Sequence, residues 1–174
     1  MRRILSVVFL SLILLAAVSG CKRGPSLAPG EKVISRYPLG EIKETAIISG
    51  AGTNSITLKS FVYHISGQKK KEYNYKNNLY FGPWKYWYKK GGKLAEGTFD
   101  TKTPNPNIGV GTAVYYWPGG KKMIEIDTRP ERQSDKPASI YHDEKGNSYT
   151  DQNLPEEVRQ KIVDTIHRWD IGEI

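Results

Sequence analysis

Turn signals recur along this chain at short, regular intervals. They are Gly67, Asn77-Asn78, Gly91-Gly92, Asn105-Pro106-Asn107, Pro118-Gly119-Gly120, the polar stretch 132–136 and Gly146-Asn147. The segments between them are short and rich in Tyr, Trp, Val, Ile and Thr, which is typical of β-strands. The connections are too short for the crossover helices that parallel strands need. The sequence therefore predicts a mainly β domain: an antiparallel meander of repeated hairpins with one C-terminal amphipathic helix.

An internal repeat supports the hairpin prediction. Segment 82–99 aligns with segment 111–126, and fainter copies run over 63–75 and 139–149. The matched pairs are Gly82 with Gly111, Tyr86 with Tyr115, Trp87 with Tyr116, and Tyr88 with Trp117. A one-residue slip then aligns Gly91-Gly92-Lys93 with Gly119-Gly120-Lys121. Each unit is predicted to be an aromatic strand, a Gly-Lys turn and a return strand, with glycine supplying the positive φ of a tight turn.

The best-formed repeat carries a motif. The pattern Gly-x-Trp-x-x-aromatic-Tyr-x-x-Gly-x-Lys-Leu is formed by Gly82, Trp84, Trp87, Tyr88, Gly91 or Gly92, Lys93 and Leu94. It resembles the bacterial MORN-repeat variant of proteins called YwqK-type antitoxins. The resemblance covers about 61–150, with Ala113 where the second repeat would have tryptophan. It implies a single-layer or elongated sheet of successive hairpins, no catalytic residues, and toxin neutralisation as a role.

The first twenty residues have the pattern of a secretory signal peptide. Arg2 and Arg3 precede an apolar run over 4–18, which is shorter than the roughly 20 residues that a membrane-spanning helix needs. Val18-Ser19-Gly20-Cys21 resembles the bacterial lipobox, which implies lipid attachment to Cys21, cleavage after Gly20 and acylation of the new amino terminus. A thiolate is the nucleophile that such a modification requires. The alternatives are an uncleaved anchor helix and an unmodified cysteine beside an ordinary cleavage site.

These features predict the organisation and location of the chain. Residues 1–20 are predicted as a lipoprotein signal peptide, 21–40 as a flexible tether, 41–152 as the β-hairpin repeat domain, and 153–174 as a helix packed on the sheet. The formal charge of +8 becomes +6 once two arginines leave with the signal (8 − 2). The expected location is the cell membrane or outer membrane, on its periplasmic or extracellular face. The residue after the cysteine is Lys22, whereas the Gram-negative pattern for retention in the inner membrane has Asp there. In a cell with two membranes, this favours the outer membrane.

The C-terminal segment is predicted to be helical. Val158, Ile162, Ile166 and Trp169 form one apolar stripe at helical spacing. Pro155 and the following glutamates suit a helix start. We expect the stripe to cover one face of the sheet. The alternative is a helix that binds a partner.

Residues with catalytic or metal-binding patterns are not apparent in the sequence. His64, His142 and His167 lie in separate segments without metal-ligand spacing, and His142-Asp143-Glu144 suits a polar hairpin tip. No nucleophile or phosphate-loop motif is present. We therefore expect no enzyme activity, no catalytic residues, no metal and no cofactor.

Aromatic and basic residues alternate in the middle of the chain. Along 84–88, Trp84, Tyr86 and Tyr88 are predicted on one face, and Lys85 and Trp87 on the other. The possible interaction surface consists of Lys85, Trp87, Lys89, Lys90 and Tyr116. It suits an anionic ligand; the alternative is that the aromatics form cross-strand ladders and the lysines maintain solubility. Export makes nucleic acid an unexpected partner.

The resulting functional prediction is a membrane-anchored, non-catalytic cell-envelope lipoprotein that acts as a binding or scaffold module. Its expected partners are the membrane, through the lipidated N-terminus, and an unidentified envelope protein or anionic polymer. One alternative is an immunity lipoprotein that neutralises a toxin in the envelope. Another is an envelope hydrolase with a site that the sequence does not reveal.

Overall fold

Among the residues that the structure describes, ten strands in chain order form a single antiparallel sheet, and one helix follows them. The computed structural model describes residues 25–49, 57–76, 79–99, 111–129 and 138–174. The strands are β1 Glu31–Arg36, β2 Ile42–Ser49, β3 Thr57–Tyr63, β4 Lys69–Lys76, β5 Leu79–Trp87, β6 Lys93–Phe99, β7 Gly111–Tyr116, β8 Lys122–Asp127, β9 Ser139–His142 and β10 Ser148–Tyr149; the helix, α1, is Glu156–Asp170. This arrangement confirms the predicted meander with one C-terminal helix.

Several predicted features lie outside the described residues. They are the signal peptide 1–20, the lipid-attachment residue Cys21, and the turn signals at 77–78, 105–107 and 132–136. Within the ranges that are described, no helix is long and apolar enough to cross a membrane.

Five hairpin turns share one hydrogen-bond pattern. They comprise residues 37–41, 64–68, 88–92, 117–121 and 143–147. In each, the N–H of the first turn residue donates to the carbonyl of the fifth, and the N–H of the fourth donates to the carbonyl of the first. The fourth residue is always glycine, with φ between 83° and 101°, where a Cβ would be strained. All five turns lie at the same end of the meander, which we call the turn end.

The turns correct the predicted alignment of the two best repeats. Gly91 and Gly120 both occupy the fourth turn position. Lys93 and Lys122 then both begin the return strand. The segments therefore align from Gly82 and Gly111 onward without the predicted one-residue slip. The slip was wrong because it matched the paired glycines of the sequence, whereas the glycine of positive φ that all five turns share is at the fourth position.

Side chains link each turn to the next. In four turns, the first turn residue contacts the carbonyl of the residue just before the following turn. These bonds, which we call the turn ladder, run from Tyr37 Oη to Tyr63 O (2.8 Å), from His64 Nε2 to Trp87 O (3.3 Å), from Tyr88 Oη to Tyr116 O (2.6 Å), and from Trp117 Nε1 to His142 O (3.0 Å). Because a carbonyl only accepts, His64 must carry its hydrogen on Nε2.

The fifth turn ends the ladder. Its first residue, Asp143, accepts hydrogen bonds from the N–H groups of Gly146 at 2.7 Å and Asn147 at 2.9 Å within its own turn. The Asn147 side chain also donates to the carboxylate at 2.7 Å, and these bonds lower the pKa of Asp143 to about 2. Its side chain is thus used within its own hairpin and does not contact a further hairpin as the ladder residues do.

The helix packs on one face of the sheet, which we call the helix face. The predicted stripe is buried at Val158, Ile162 and Trp169. It joins a core cluster with residues of the strands and turns, which include Trp84, Tyr88, Leu94, Ala95, Trp117, Met123 and Ile124. Trp169 stacks on Tyr86 with ring centroids 5.3 Å apart. Its indole N–H donates to Trp87 O at 2.8 Å, so the helix is held both by apolar burial and by a directional bond.

A glycine on the helix face allows Trp84 to lie flat against the sheet. A Cβ on Gly97 would lie 2.6 Å from the Trp84 ring and 2.2 Å from Thr112 O. Trp84 and Gly97 are cross-strand partners. Gly97 is therefore required by close approach of a ring and a neighbouring strand, and not by a turn.

The predicted tether is corrected. Residues 31–40, placed in the flexible segment 21–40, form β1 and most of the first turn, and β1 pairs with β2. The Glu31 carboxylate accepts hydrogen bonds from Thr45 and from Tyr63, whose Oη lies 3.0 Å away. The strand was not predicted because its residues are mostly polar and the segment is flanked by proline and glycine. The hydrogen bonds that hold it come from β2 and β3. The sheet therefore begins at Glu31.

Candidate interaction surface

The face opposite α1, which we call the open face, carries three of the five predicted surface residues. Side chains alternate along β5, so Lys85 and Trp87 lie opposite Trp84 and Tyr86. Tyr116 lies on the same side because its hydroxyl donates to Glu96, the cross-strand partner of Lys85. This agrees with the predicted division of strand 84–88 into an aromatic face and a lysine face.

The other two predicted surface residues, Lys89 and Lys90, lie at the turn end. Lys89 Nζ donates to Gly172 O at 3.2 Å, just beyond the C-terminus of α1. Lys70 donates to Asp170 O at 2.8 Å, and its ammonium lies 4.9 Å from the Trp169 ring centroid. Cations are favourable at this negative end of the helix dipole. Lys89 therefore contributes to helix docking, whereas Lys90 is exposed.

Charged pairs repeat along the open face. Three of the return strands begin with a lysine that contacts a glutamate three residues later. The pairs are Lys69–Glu72 at 3.2 Å, Lys93–Glu96 at 2.7 Å and Lys122–Glu125 at 2.8 Å. Residues three apart on one strand ordinarily point to opposite faces. In each of these strands a register shift directly after the turn places the lysine on the same face as the glutamate.

Each charged pair also contacts the residue that precedes the next turn. Tyr116 Oη donates to Glu96 at 2.9 Å, and Lys93 lies 5.5 Å from the Tyr116 ring centroid. His142 Nε2 lies 2.9 Å from a Glu125 oxygen. Lys69 lies 5.7 Å from the Trp87 ring centroid. The open face is thus a series of three steps, each made of a lysine, a glutamate and a ring from the neighbouring repeat.

The glutamates of these steps are held ionised. The hydrogen bond from Lys93 lowers the pKa of Glu96, and the bond from Lys122 lowers that of Glu125. Burial raises the pKa of Glu72, but bonds from Lys59 and Lys69 bring it below its ordinary value. All three groups remain partly exposed, so solvent weakens these interactions. The surface carries both signs of charge in alternation.

A shallow groove of about 300 Å³ crosses the open face over β5, β6 and β7. Its side chains come from two cross-strand rows: Lys85, Glu96 and Val114, and Pro83, Thr98 and Thr112. The groove exists because the second row has only small side chains. Its charged row can bond a polar group, and its Thr and Pro row offers apolar contact area.

The charged steps have a sequence signal, although the predicted surface does not include their lysines and glutamates. Lys-x-x-Glu occurs at 69–72, 93–96 and 122–125, directly after three turns. The spacing would have placed each glutamate beside its lysine, had the register shift been known. The turn ladder left no such signal, because its first residues are Tyr, His, Tyr and Trp.

The histidines do not form a site. His64 is buried, which lowers the pKa of its imidazole, and it takes part in the turn ladder. His142 contacts Glu125 and, through Nδ1, the hydroxyl of Ser148 at 3.0 Å. Among the residues for which the structure gives positions, no group of three His, Cys, Asp or Glu side chains could hold a metal ion.

Comparisons with protein-family models, with curated proteins and with solved structures found no match. The MORN-variant resemblance therefore continues to depend on the motif residues alone, from Gly82 to Leu94.

Proposed function

We propose that this protein is a lipid-anchored, non-catalytic module of the bacterial envelope that binds another envelope protein through its open face. The observation that carries the proposal is the contrast between the faces. The helix covers one face, and the other presents three regularly repeated polar and aromatic steps with a groove among them.

The character of the open face favours a protein partner over an anionic polymer. Each lysine of the three steps already contacts a glutamate, so its charge is largely offset where a polymer would lie. Aromatic rings among charges of both signs can instead match a protein surface, with Trp87 and Tyr116 as the aromatic contacts. Neighbouring steps are two strands apart, or about 10 Å, and suit an extended partner lying across the strands.

The anchoring part of the proposal rests on the sequence Val18-Ser19-Gly20-Cys21. Two acyl chains on the Cys21 side chain would supply the two signals that stable membrane attachment requires. Cys21→Ser is expected to abolish lipid labelling and to move the protein out of the detergent phase in phase separation. Normal lipid labelling of this variant would contradict the anchor.

Binding can be tested by site-specific cross-linking in intact cells. A photo-reactive amino acid replaces Val114 in the groove or, as control, the exposed Val163 on α1. We expect a discrete protein adduct from position 114 and none from 163. Lys85→Glu should weaken the adduct by reversing a charge in the groove, while Lys145→Glu, the same change at the exposed fifth turn, should leave it unchanged.

The other outcomes are distinct. A diffuse adduct that resists protease would show that an anionic polymer occupies the face. Equal adducts from both positions, or none, would contradict a binding role for the open face. If the captured protein is a toxin, the module would be an immunity lipoprotein, as the YwqK-type resemblance suggests.

A further inference from the structure

Three of the exposed large apolar side chains lie near one corner of the turn end. Leu39, at the third position of the first turn, is 84% exposed, and Ile65, at the second position of the second turn, is 48% exposed. Leu27, near the start of the described chain, is 42% exposed. The second and third positions of the last three turns are instead Lys89-Lys90, Pro118-Gly119 and Glu144-Lys145. Leucine and isoleucine at the turn tips are thus confined to the first two turns.

The described part of the chain begins at the same corner. Pro25 Cδ lies 3.6 Å from the place that a Cβ on Gly67, in the second turn, would occupy. The first turn is tied to this one by the bond from Tyr37 to Tyr63 O. Leu27 follows two residues after Pro25. The apolar tips and the start of the described chain therefore lie together.

The distance from this corner to Cys21 is limited. An extended chain spans at most about 3.6 Å per residue, so the four residues from Cys21 to Pro25 reach about 14 Å. If Cys21 carries lipid, as the proposed function holds, the corner must lie within that distance of the bilayer surface. Exposed leucine and isoleucine side chains are then placed where they can enter the headgroup region.

Basic residues surround the corner. Arg36 is exposed and donates from Nη1 to Gly40 O in the first turn at 2.8 Å. Lys43 is exposed, 6.0 Å from the Tyr37 ring centroid, and Lys90 is exposed on the third turn. Glu41 is the acid of the first turn. The local excess of positive charge favours a surface of phosphate headgroups.

We propose that the corner formed by Leu27, Leu39 and Ile65 is a membrane-docking site that inserts into the headgroup region of an anionic bilayer. This rests on the lipid anchor of the proposed function. It adds a fixed orientation: the first two turns face the bilayer, the later repeats extend away from it, and the open face is presented beside the membrane.

The test uses the mature lipidated protein in vesicles. Leu39→Cys and Lys145→Cys place a thiol at the same position of the first and fifth turns, and an environment-sensitive dye is attached to each. In vesicles of phosphatidylglycerol and phosphatidylethanolamine, we expect the dye at 39 to shift to shorter wavelength and to be quenched by spin-labelled lipid. The dye at 145 should do neither. High salt or phosphatidylcholine vesicles should reduce the shift at 39.

The controls separate the two proposals. A thioether at Cys21 cannot react with the dye, so labelling of the parent protein would show a free thiol and contradict the anchor itself. With the parent unlabelled, identical aqueous spectra at 39 and 145 would overturn the docking site alone. A shift at 39 without vesicles would show that a second copy of the chain covers the corner, which would also overturn it.

Discussion

The helix face buries tyrosine and tryptophan rings against α1, whereas the open face of the same strands holds lysines and glutamates in contact with rings. Burial raises the pKa of Tyr86 and Tyr115 on the helix face. Hydrogen bonds from lysines lower the pKa of Glu96 and Glu125 on the open face. The strands therefore join an apolar core to a polar surface, and each face should respond to different changes.

The largest effect is expected from Trp169→Ala. This change removes the stacking on Tyr86 and the hydrogen bond to Trp87 O and leaves a cavity in the core. We expect a loss of about 3–5 kcal/mol in the free energy of unfolding, measured by denaturant titration. Val163→Ala, on the exposed side of the same helix, should cost less than about 1 kcal/mol. Equal effects of the two changes would show that α1 is not docked.

A smaller effect is expected from Tyr88→Phe, which removes one bond of the turn ladder with little change in volume. It leaves Tyr116 O without its 2.6 Å donor. We expect a cost of about 1–2 kcal/mol, the usual range for depriving a partly buried acceptor of its donor. Tyr37→Phe tests the first bond of the ladder, to Tyr63 O, in the same way. Unchanged stability in both variants would mean that the ladder bonds contribute nothing beyond the turns themselves.

The smallest effect is expected in the pH dependence of stability, which should differ between the two faces. The pKa of Glu96 is lowered from 4.5 on folding, so its stabilising contribution is present above pH 4.5 and is lost as pH falls through the folded pKa. The pKa of Tyr86 is raised from 10.0, so stability is retained below pH 10 and lost as pH rises above it.

Thermal unfolding as a function of pH checks this. Glu96→Gln should lower stability at pH 7 by less than about 1 kcal/mol, because the pair is exposed, and should flatten the acid side of the profile. Tyr86→Phe should flatten only the alkaline side. If Glu96→Gln altered the alkaline side instead, the assignment of the two pKa shifts to opposite faces would be wrong.

The sequence predicted the features that depend on neighbouring residues and missed those that depend on contacts between distant segments of the chain. The turn glycines and the alternation of Trp84, Lys85 and Tyr86 are local, and they gave the meander and the two faces correctly. β1 was mistaken for tether because Glu31 is held by partners on β2 and β3. Lys89 was placed on the interaction surface although it contacts the end of α1, which lies more than eighty residues away along the chain. Its contact depends on packing that no local pattern encodes.

The turn ladder has a consequence for how the chain acquires its fold. Every strand pairs only with its immediate neighbours in the chain, and each ladder bond spans 23 to 28 residues. Contact order within the sheet is therefore low for an all-β protein, and each hairpin can pair with the previous one in chain order. Helix α1 is the exception, since Lys70 meets Asp170 one hundred residues later. The helix must dock last, onto strands that are already paired. Until it docks, the rings of Trp84, Tyr86 and Tyr88 are uncovered, and the sheet exposes its largest apolar surface. A chaperone that binds exposed aromatic side chains would act in that interval.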